Sequence, residues 1–201
     1  MWEPPAGVFG KQQLQTGAEW VVRRHQKGDA ASEAVYSPCA CYRYLLTRVW
    51  DRAGERALFV MLNPSTATEA QNDPTVERCE RRARALGFGA FRVVNIFAFR
   101  ATDPKVMRAA GDPVGPGNDA AILASVLDWR PDRVVCAWGG HGLYLGRGDA
   151  VAGLLRGTGV PLWHLGLTAA GQPKHPLYIG YAQQPELWDR VGASGRPQAD
   201  Q

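Results

Sequence analysis

The stretch Ala57-Leu58-Phe59-Val60-Met61-Leu62-Asn63-Pro64-Ser65-Thr66-Ala67-Thr68 decides the reading of the fold. Its first six residues form the strongest apolar run in the chain. It is bounded by Asp51-Arg52-Ala53-Gly54 before and by Asn63-Pro64 after, so it reads as a buried strand between two turns. Upstream, Tyr42 to Trp50 is strand-like and ends in that first turn. Downstream, Asp73 reads as an N-cap and Pro74 as the first residue of a helix reaching Leu86. Val76, Cys79, Ala83 and Leu86 make the helix's apolar stripe, and Gly87 stops it.

Further along, strand-like and helix-like segments alternate. Phe91 to Phe97 reads as a strand, Asp103-Pro104 as the start of a short helix, and Pro116 to Trp129 as a longer one. Arg133 to Trp138 is a strand, Asp149 to Arg156 a helix ending at Gly157, and Pro161 to Leu165 the last strand. Alternation of this kind implies right-handed crossovers between parallel strands, with helices on both faces. The expected fold is an α/β protein, a three-layer α/β/α sandwich with a mostly parallel central sheet. Residues 31–191 are expected to form that single domain. Residues 1–30 read as a loosely structured N-terminal segment, and residues 192–201 as a flexible tail.

Composition narrows the function. A chain of 201 residues, 45% hydrophobic, has enough apolar side chains for one sizeable core, which excludes a disordered or fibrous protein. The longest apolar runs fall far short of the roughly 20 residues of a membrane helix. Met1-Trp2-Glu3-Pro4-Pro5 lacks the basic and apolar regions of a secretory signal, so a cytoplasmic protein is expected. The basic residues are 19 Arg and 4 Lys. Arginine's planar fork suits phosphates and base edges, and a GC-rich genome produces the same bias without any function. Of the four cysteines only Cys39 and Cys41 are close, at a spacing that fits neither a zinc knuckle nor a thioredoxin-type pair. No metal and no cofactor is expected, and the thiols are expected to stay reduced.

In open α/β sheets, ligands bind outside the carboxyl ends of the strands. Four unusual polar segments fall there: Asn63-Pro64-Ser65-Thr66, Asn95-Ile96-Phe97-Ala98-Phe99-Arg100, Trp138-Gly139-Gly140-His141-Gly142, and Pro173-Lys174-His175-Pro176-Leu177-Tyr178. Each has a plain alternative on its own: a turn at Asn63-Pro64, a satisfied amide at Asn95, a tight connection at Gly139-Gly140, a loop histidine at His175. Their convergence on one rim favours a site. Arg78, Arg81, Arg82 and Arg84 on the helix after Pro74 read as a solvated face balanced by Glu77 and Glu80, with phosphate steering as the other reading.

These motifs resemble those of the uracil-DNA glycosylase superfamily. Met61-Leu62-Asn63-Pro64 resembles the first motif of its mismatch-specific branch, Val93-Val94-Asn95 the strand whose Asn reads a flipped base, Ala137-Trp138-Gly139 its Trp-Gly strand end, and His175-Pro176 its final loop. From about Tyr36 to Tyr181 the chain is also similar to domain-of-unknown-function family 1643, a bacterial family. Its phrases stand here as Tyr42-Arg43-Tyr44, Met61-Leu62-Asn63-Pro64-Ser65-Thr66-Ala67, Asn72-Asp73-Pro74-Thr75, Asn95-Ile96-Phe97-Ala98-Phe99-Arg100 and Lys174-His175-Pro176-Leu177-Tyr178. The second resemblance brings no settled activity. The first implies a glycosylase-like fold and a base-directed chemistry.

Cleaving a base from deoxyribose develops positive charge on the sugar and negative charge on the leaving base. On this reading Asn63 positions water and His175 donates a hydrogen bond to the developing oxyanion. Asn95 reads a Watson–Crick edge through its paired donor and acceptor. Phe97, Phe99 and Trp138 are the aromatic candidates for stacking, with a core role for whichever points into the sheet. Ser65, Thr66, Arg100 and Lys174 are the phosphate-binding candidates. The sequence departs from the superfamily pattern in three places: Asn63 cannot accept a proton as an Asp would, Leu177 replaces a Ser, and no wedge residue follows. The expected function is an N-glycosidic hydrolase acting on an unusual or damaged base, in DNA, RNA or a free nucleotide. A catalytically inactive module that binds a nucleobase or a single strand is the alternative.

Overall fold

A computed structural model describes residues 20–188. Strand β4 (Arg56–Met61) runs through the middle of an eight-stranded sheet, as its apolar sequence demands. Leu58 and Phe59 are buried on opposite faces, and each such side chain contributes about 1.5–3 kcal/mol by leaving water. β4 is flanked by β5 (Ala90–Asn95) and β6 (Arg133–Ala137), both parallel to it, and β7 (Leu162–His164) lies parallel beyond β6. The carboxyl ends of these four strands share one rim.

The rest of the sheet runs the other way. β1 (Val21–Lys27), β2 (Ala30–Tyr36) and β3 (Arg43–Val49) form an antiparallel meander, and β3 pairs antiparallel with β5. A short β8 (Glu186–Leu187) pairs antiparallel with β7. The order is β1-β2-β3-β5-β4-β6-β7-β8. Four of the seven pairings are antiparallel, so the expected mostly parallel three-layer sandwich does not form: the sheet is mixed and mostly antiparallel. The reason lies in the connections. β1 and β2 are joined by a tight turn in which Gly28 takes a left-handed φ of 59°. The turn from Tyr36 to Arg43 is closed by Ser37 N–H donating to the Tyr42 carbonyl. Links this short allow only antiparallel neighbours.

β1 falls inside the segment read from sequence as a loosely held N-terminus. Its residues are exposed almost throughout, so no apolar alternation announces it. Residues 1–19 and the tail from 192 lie outside the described residues.

Helix α1 (Pro74–Ala85) starts as read from sequence, with Asp73 accepting a hydrogen bond from Val76 N–H. It packs Val76, Cys79 and Ala83 against Phe59, Met61 and Val93 on one face of the sheet. α3 (Asn118–Leu127) and α4 (Arg147–Arg156) cover the opposite face through Ala121, Ile122, Val151 and Leu155. The short α2 (Pro104–Ala109) is capped by Asp103, whose side chain accepts from Lys105 N–H. Among the described residues no helix is long and apolar enough to cross a membrane.

Candidate functional site

Side chains alternate across a strand, and this decides what each rim residue faces. Phe91 and Val93 of β5 belong to the α1-side cluster, which sends the side chain of Asn95 to the same side, beside its strand partner Met61. Met61 itself lies against α1, where the Cys79 thiol is 3.7 Å from its sulfur. Asn95 is 1% exposed, and neither its Nδ2 nor its Oδ1 has a hydrogen-bond partner among the described residues. A buried amide without partners is costly, so this one stands out. The strand end that carries it is braced from behind. Asn118 Nδ2 donates to the carbonyls of Asn95 and Ile96 at 2.9 and 3.2 Å, and Arg147 Nε donates to Ile96 at 2.7 Å. Arg147 also pairs with Asp119.

Asn63 follows β4 and is partly buried. Its Nδ2 donates to the carbonyls of Ala101 (2.8 Å) and Pro64 (3.1 Å). Two carbonyls can only accept, so they settle which end of the amide is nitrogen and leave Oδ1 as the atom able to receive a hydrogen bond from a ligand or water.

His175 packs against the end of β6. A methyl group on Gly139, which has φ of 73°, would lie 3.3 Å from His175 Cβ, and Gly139 N–H donates to Pro173 at 2.7 Å. His175 Nδ1 is 3.4 Å from Leu177 N–H, which makes it the acceptor nitrogen and leaves Nε2 to carry the proton in the neutral ring. Burial pushes the imidazole's pKa below its usual value; the Asp73 carboxylate opposes that shift and His141 adds to it. The neutral donor form is therefore the one present near pH 7.

The loop between β4 and α1 is held by buried arginines. Arg43 Nη1 donates to Ala67 at 2.8 Å, and Arg48 Nη2 donates to Thr68 (2.7 Å) and to Asn72 Oδ1 (3.1 Å). Burial brings Arg43 down to about 10 against the pull of Asp73, and its Nε lacks a partner among the described residues. Asp73, read from sequence only as a helix cap, also accepts from Ala67 N–H at 3.3 Å and bears electrostatically on both Arg43 and His175.

Asn95, Asp73 and His175 therefore gather on the α1 side of the rim. Phe97 and Trp138 do not. Both are 0% exposed in the cluster on the α3–α4 face, and Trp138 Nε1 donates to Gln172 Oε1 at 2.7 Å, so neither ring has a face free for a base. Phe99 is partly exposed and meets Tyr42 edge-on at 5.8 Å. Tyr178, 88% exposed three residues after His175, is an exposed aromatic that sequence reasoning left without a role. Among the phosphate candidates, Ser65 and Arg100 are partly exposed and Thr66 and Lys174 are exposed; Arg100 spends Nη1 on the Ala40 carbonyl at 3.2 Å.

The arginines of α1 have structural occupations. Arg81 pairs with Glu77, and Arg84 pairs with Glu80 and Asp29. Arg78 and Arg82 donate to carbonyls of the segment after His175: Arg78 to Pro176 and Ile179, Arg82 to Ile179, Gly180, Tyr181 and Gln183. They hold the His175 loop against α1 and have little left for steering phosphate.

A sequence model of the family described as "Protein of unknown function (DUF1643)" matches residues 43–177. No curated protein and no solved structure matches the chain, and similarity to the uracil-DNA glycosylase superfamily is not shown.

Proposed function

The chain belongs to the DUF1643 family of proteins of unknown function, and from that premise we propose that the rim binds a nucleobase, in a nucleic acid or a nucleotide, and hydrolyses its N-glycosidic bond. The observation that carries this reading is Asn95. Its buried Nδ2 and Oδ1 call for a ligand edge that offers an acceptor beside a donor, and a base's Watson–Crick edge is such an edge. Neutral His175 would donate through Nε2 to the base oxygen on which negative charge develops. Asn63 Oδ1 would accept from the attacking water, orienting its lone pair toward the anomeric carbon. With no proton acceptor at position 63, bases that leave well are the substrates favoured.

The test is incubation of the full chain with single- and double-stranded oligonucleotides carrying uracil, deaminated purines, and alkylated or hypermodified bases. Released base and abasic sites are read by mass spectrometry. Release that disappears in Asn63→Ala and His175→Ala, with the fold retained, is expected; rates unaffected by either substitution overturn the reading. The tethering of Asn63 Nδ2 to two loop carbonyls favours a second reading, in which that residue is structural and the rim binds a base without cleaving it. Retention of one oligonucleotide without release, lost in Asn95→Ala, would distinguish it.

A further inference from the structure

The turn between β2 and β3 carries Cys39 and Cys41, both exposed, while Cys79 and Cys136 are buried. Ala40 between them adopts a left-handed φ of 55°, which curls the turn so that the two thiols share one small network. Ser37 Oγ lies 3.3 Å from Cys39 Sγ, Cys41 N–H donates to Cys39 Sγ at 3.4 Å, and the Cys41 thiol donates to the Cys39 carbonyl at 3.6 Å. Cys39 sulfur thus has a hydroxyl and a backbone amide beside it as donors, with the neighbouring thiol turned to the Cys39 carbonyl.

We propose that Cys39 and Cys41 form a redox-active dithiol, with Cys39 as the nucleophile toward a hydroperoxide and Cys41 as the residue that closes the disulfide. Hydrogen bonds from Ser37 and then from the Cys41 side chain and backbone bring the Cys39 thiol down to about 7. The same contact with Cys39 holds the Cys41 thiol above its usual value. One sulfur is therefore ionised near neutrality while its neighbour keeps a proton, which is the division of labour an attacking and a resolving thiol require.

In the first step the Cys39 thiolate attacks the terminal oxygen of the hydroperoxide. An S–O bond forms, the O–O bond breaks, and the departing alkoxide or hydroxide takes a proton from solvent. In the second step the Cys41 sulfur attacks Cys39 Sγ. The S–S bond forms, the S–O bond breaks, and the leaving hydroxide combines with the Cys41 proton as water. Two thiols lose two electrons, and the peroxide is reduced to an alcohol or water and one further water.

The turn is joined to the rim. Arg100 N–H donates to the Cys41 carbonyl at 2.9 Å and Arg100 Nη1 to the Ala40 carbonyl. The next residue, Ala101, offers the carbonyl that holds Asn63 Nδ2. Oxidation of the turn would act on the backbone that positions Asn63, whatever the rim binds.

The experiment treats the reduced full chain with stoichiometric hydrogen peroxide and follows the peptide that contains both cysteines. Loss of the mass of two hydrogens, reversed by dithiothreitol, is expected. In Cys41→Ser the reaction should stop at a sulfenic acid trapped by dimedone, and Cys39→Ser should give neither product. With iodoacetamide near pH 7, Cys39 should alkylate roughly three- to tenfold faster than Cys41, its larger thiolate fraction outweighing its lower intrinsic nucleophilicity. Both thiols surviving peroxide, or equal alkylation of the two, overturns the proposal. These readouts involve no base release, so they stand apart from the glycosidic reading.

Discussion

Replacing Asn95 by leucine separates a ligand-binding amide from a structural one. The two side chains have the same branched shape, and the change removes a donor and an acceptor that are both buried without partners among the described residues. An unsatisfied buried polar group costs about 1–3 kcal/mol, and exchange for an apolar group of the same shape relieves that cost. Asn95→Leu is therefore expected to stabilise the ligand-free protein by about 1–3 kcal/mol. For a chain of this size each kcal/mol shifts Tm by roughly 2–4 °C, which gives a rise of roughly 2–12 °C. Urea unfolding should show a higher midpoint at unchanged slope. The same variant should bind any base-bearing ligand roughly 10- to 100-fold more weakly, because the ligand's own donor and acceptor then go unpaired. A fall in Tm, or undiminished binding, would refute the argument that this amide is kept for a ligand.

Three other outcomes follow from the same geometry. His175 has a folded pKa below its unfolded one because it is buried, so unfolding takes up a proton at acid pH; stability is held above the ordinary histidine range near ~6.5 and lost as pH falls through the lowered folded value. His164 is shifted in the same direction, again mainly by burial, so His175→Gln should flatten part of that slope in urea titrations at several pH values and leave the rest. Arg82→Ala removes a buried guanidinium that holds four carbonyls between Ile179 and Gln183; a loss of about 2–4 kcal/mol is expected, with faster proteolysis in that segment, and unchanged protection there would show that the contacts do not hold the loop. Gly139→Ala places a methyl group 3.3 Å from His175 Cβ on a backbone of positive φ, so it should cost about 1–2 kcal/mol and weaken ligand capture; a neutral effect on both melting and binding would place His175 outside the site.

The site was partly legible because its residues break local rules. An asparagine at the end of an apolar strand, Asn-Pro after another, and a histidine between Lys174 and Pro176 are all visible as exceptions to apolar patterning. Trp138 and Phe97 misled because an aromatic near a polar rim looks the same from sequence whether it faces solvent or the core. Trp138 continues the alternation Val134, Cys136, Trp138 and so joins the α3–α4 face, whereas Phe97 follows the end of β5, where the chain no longer alternates. Arg43 and Asp73 were passed over because their interest lies in partners distant in sequence: Ala67 for one, His175 for the other.

By itself the sequence determined the local elements. Apolar runs marked β4, β5 and β6, and Asp-Pro pairs marked the starts of α1 and α2, because those signals depend only on residues within a turn or a strand of one another. Strand direction was decided only by the tertiary structure. β3 ends in a turn that leads into β4, yet β5 inserts between them, antiparallel to one and parallel to the other. That insertion buries Phe91, Val93 and Val94 at the centre of the sheet, a gain shared among segments far apart in the chain, which no local pattern records. The same assembly set the buried amide of Asn95 beside Met61 and brought Asp73 within electrostatic reach of His175.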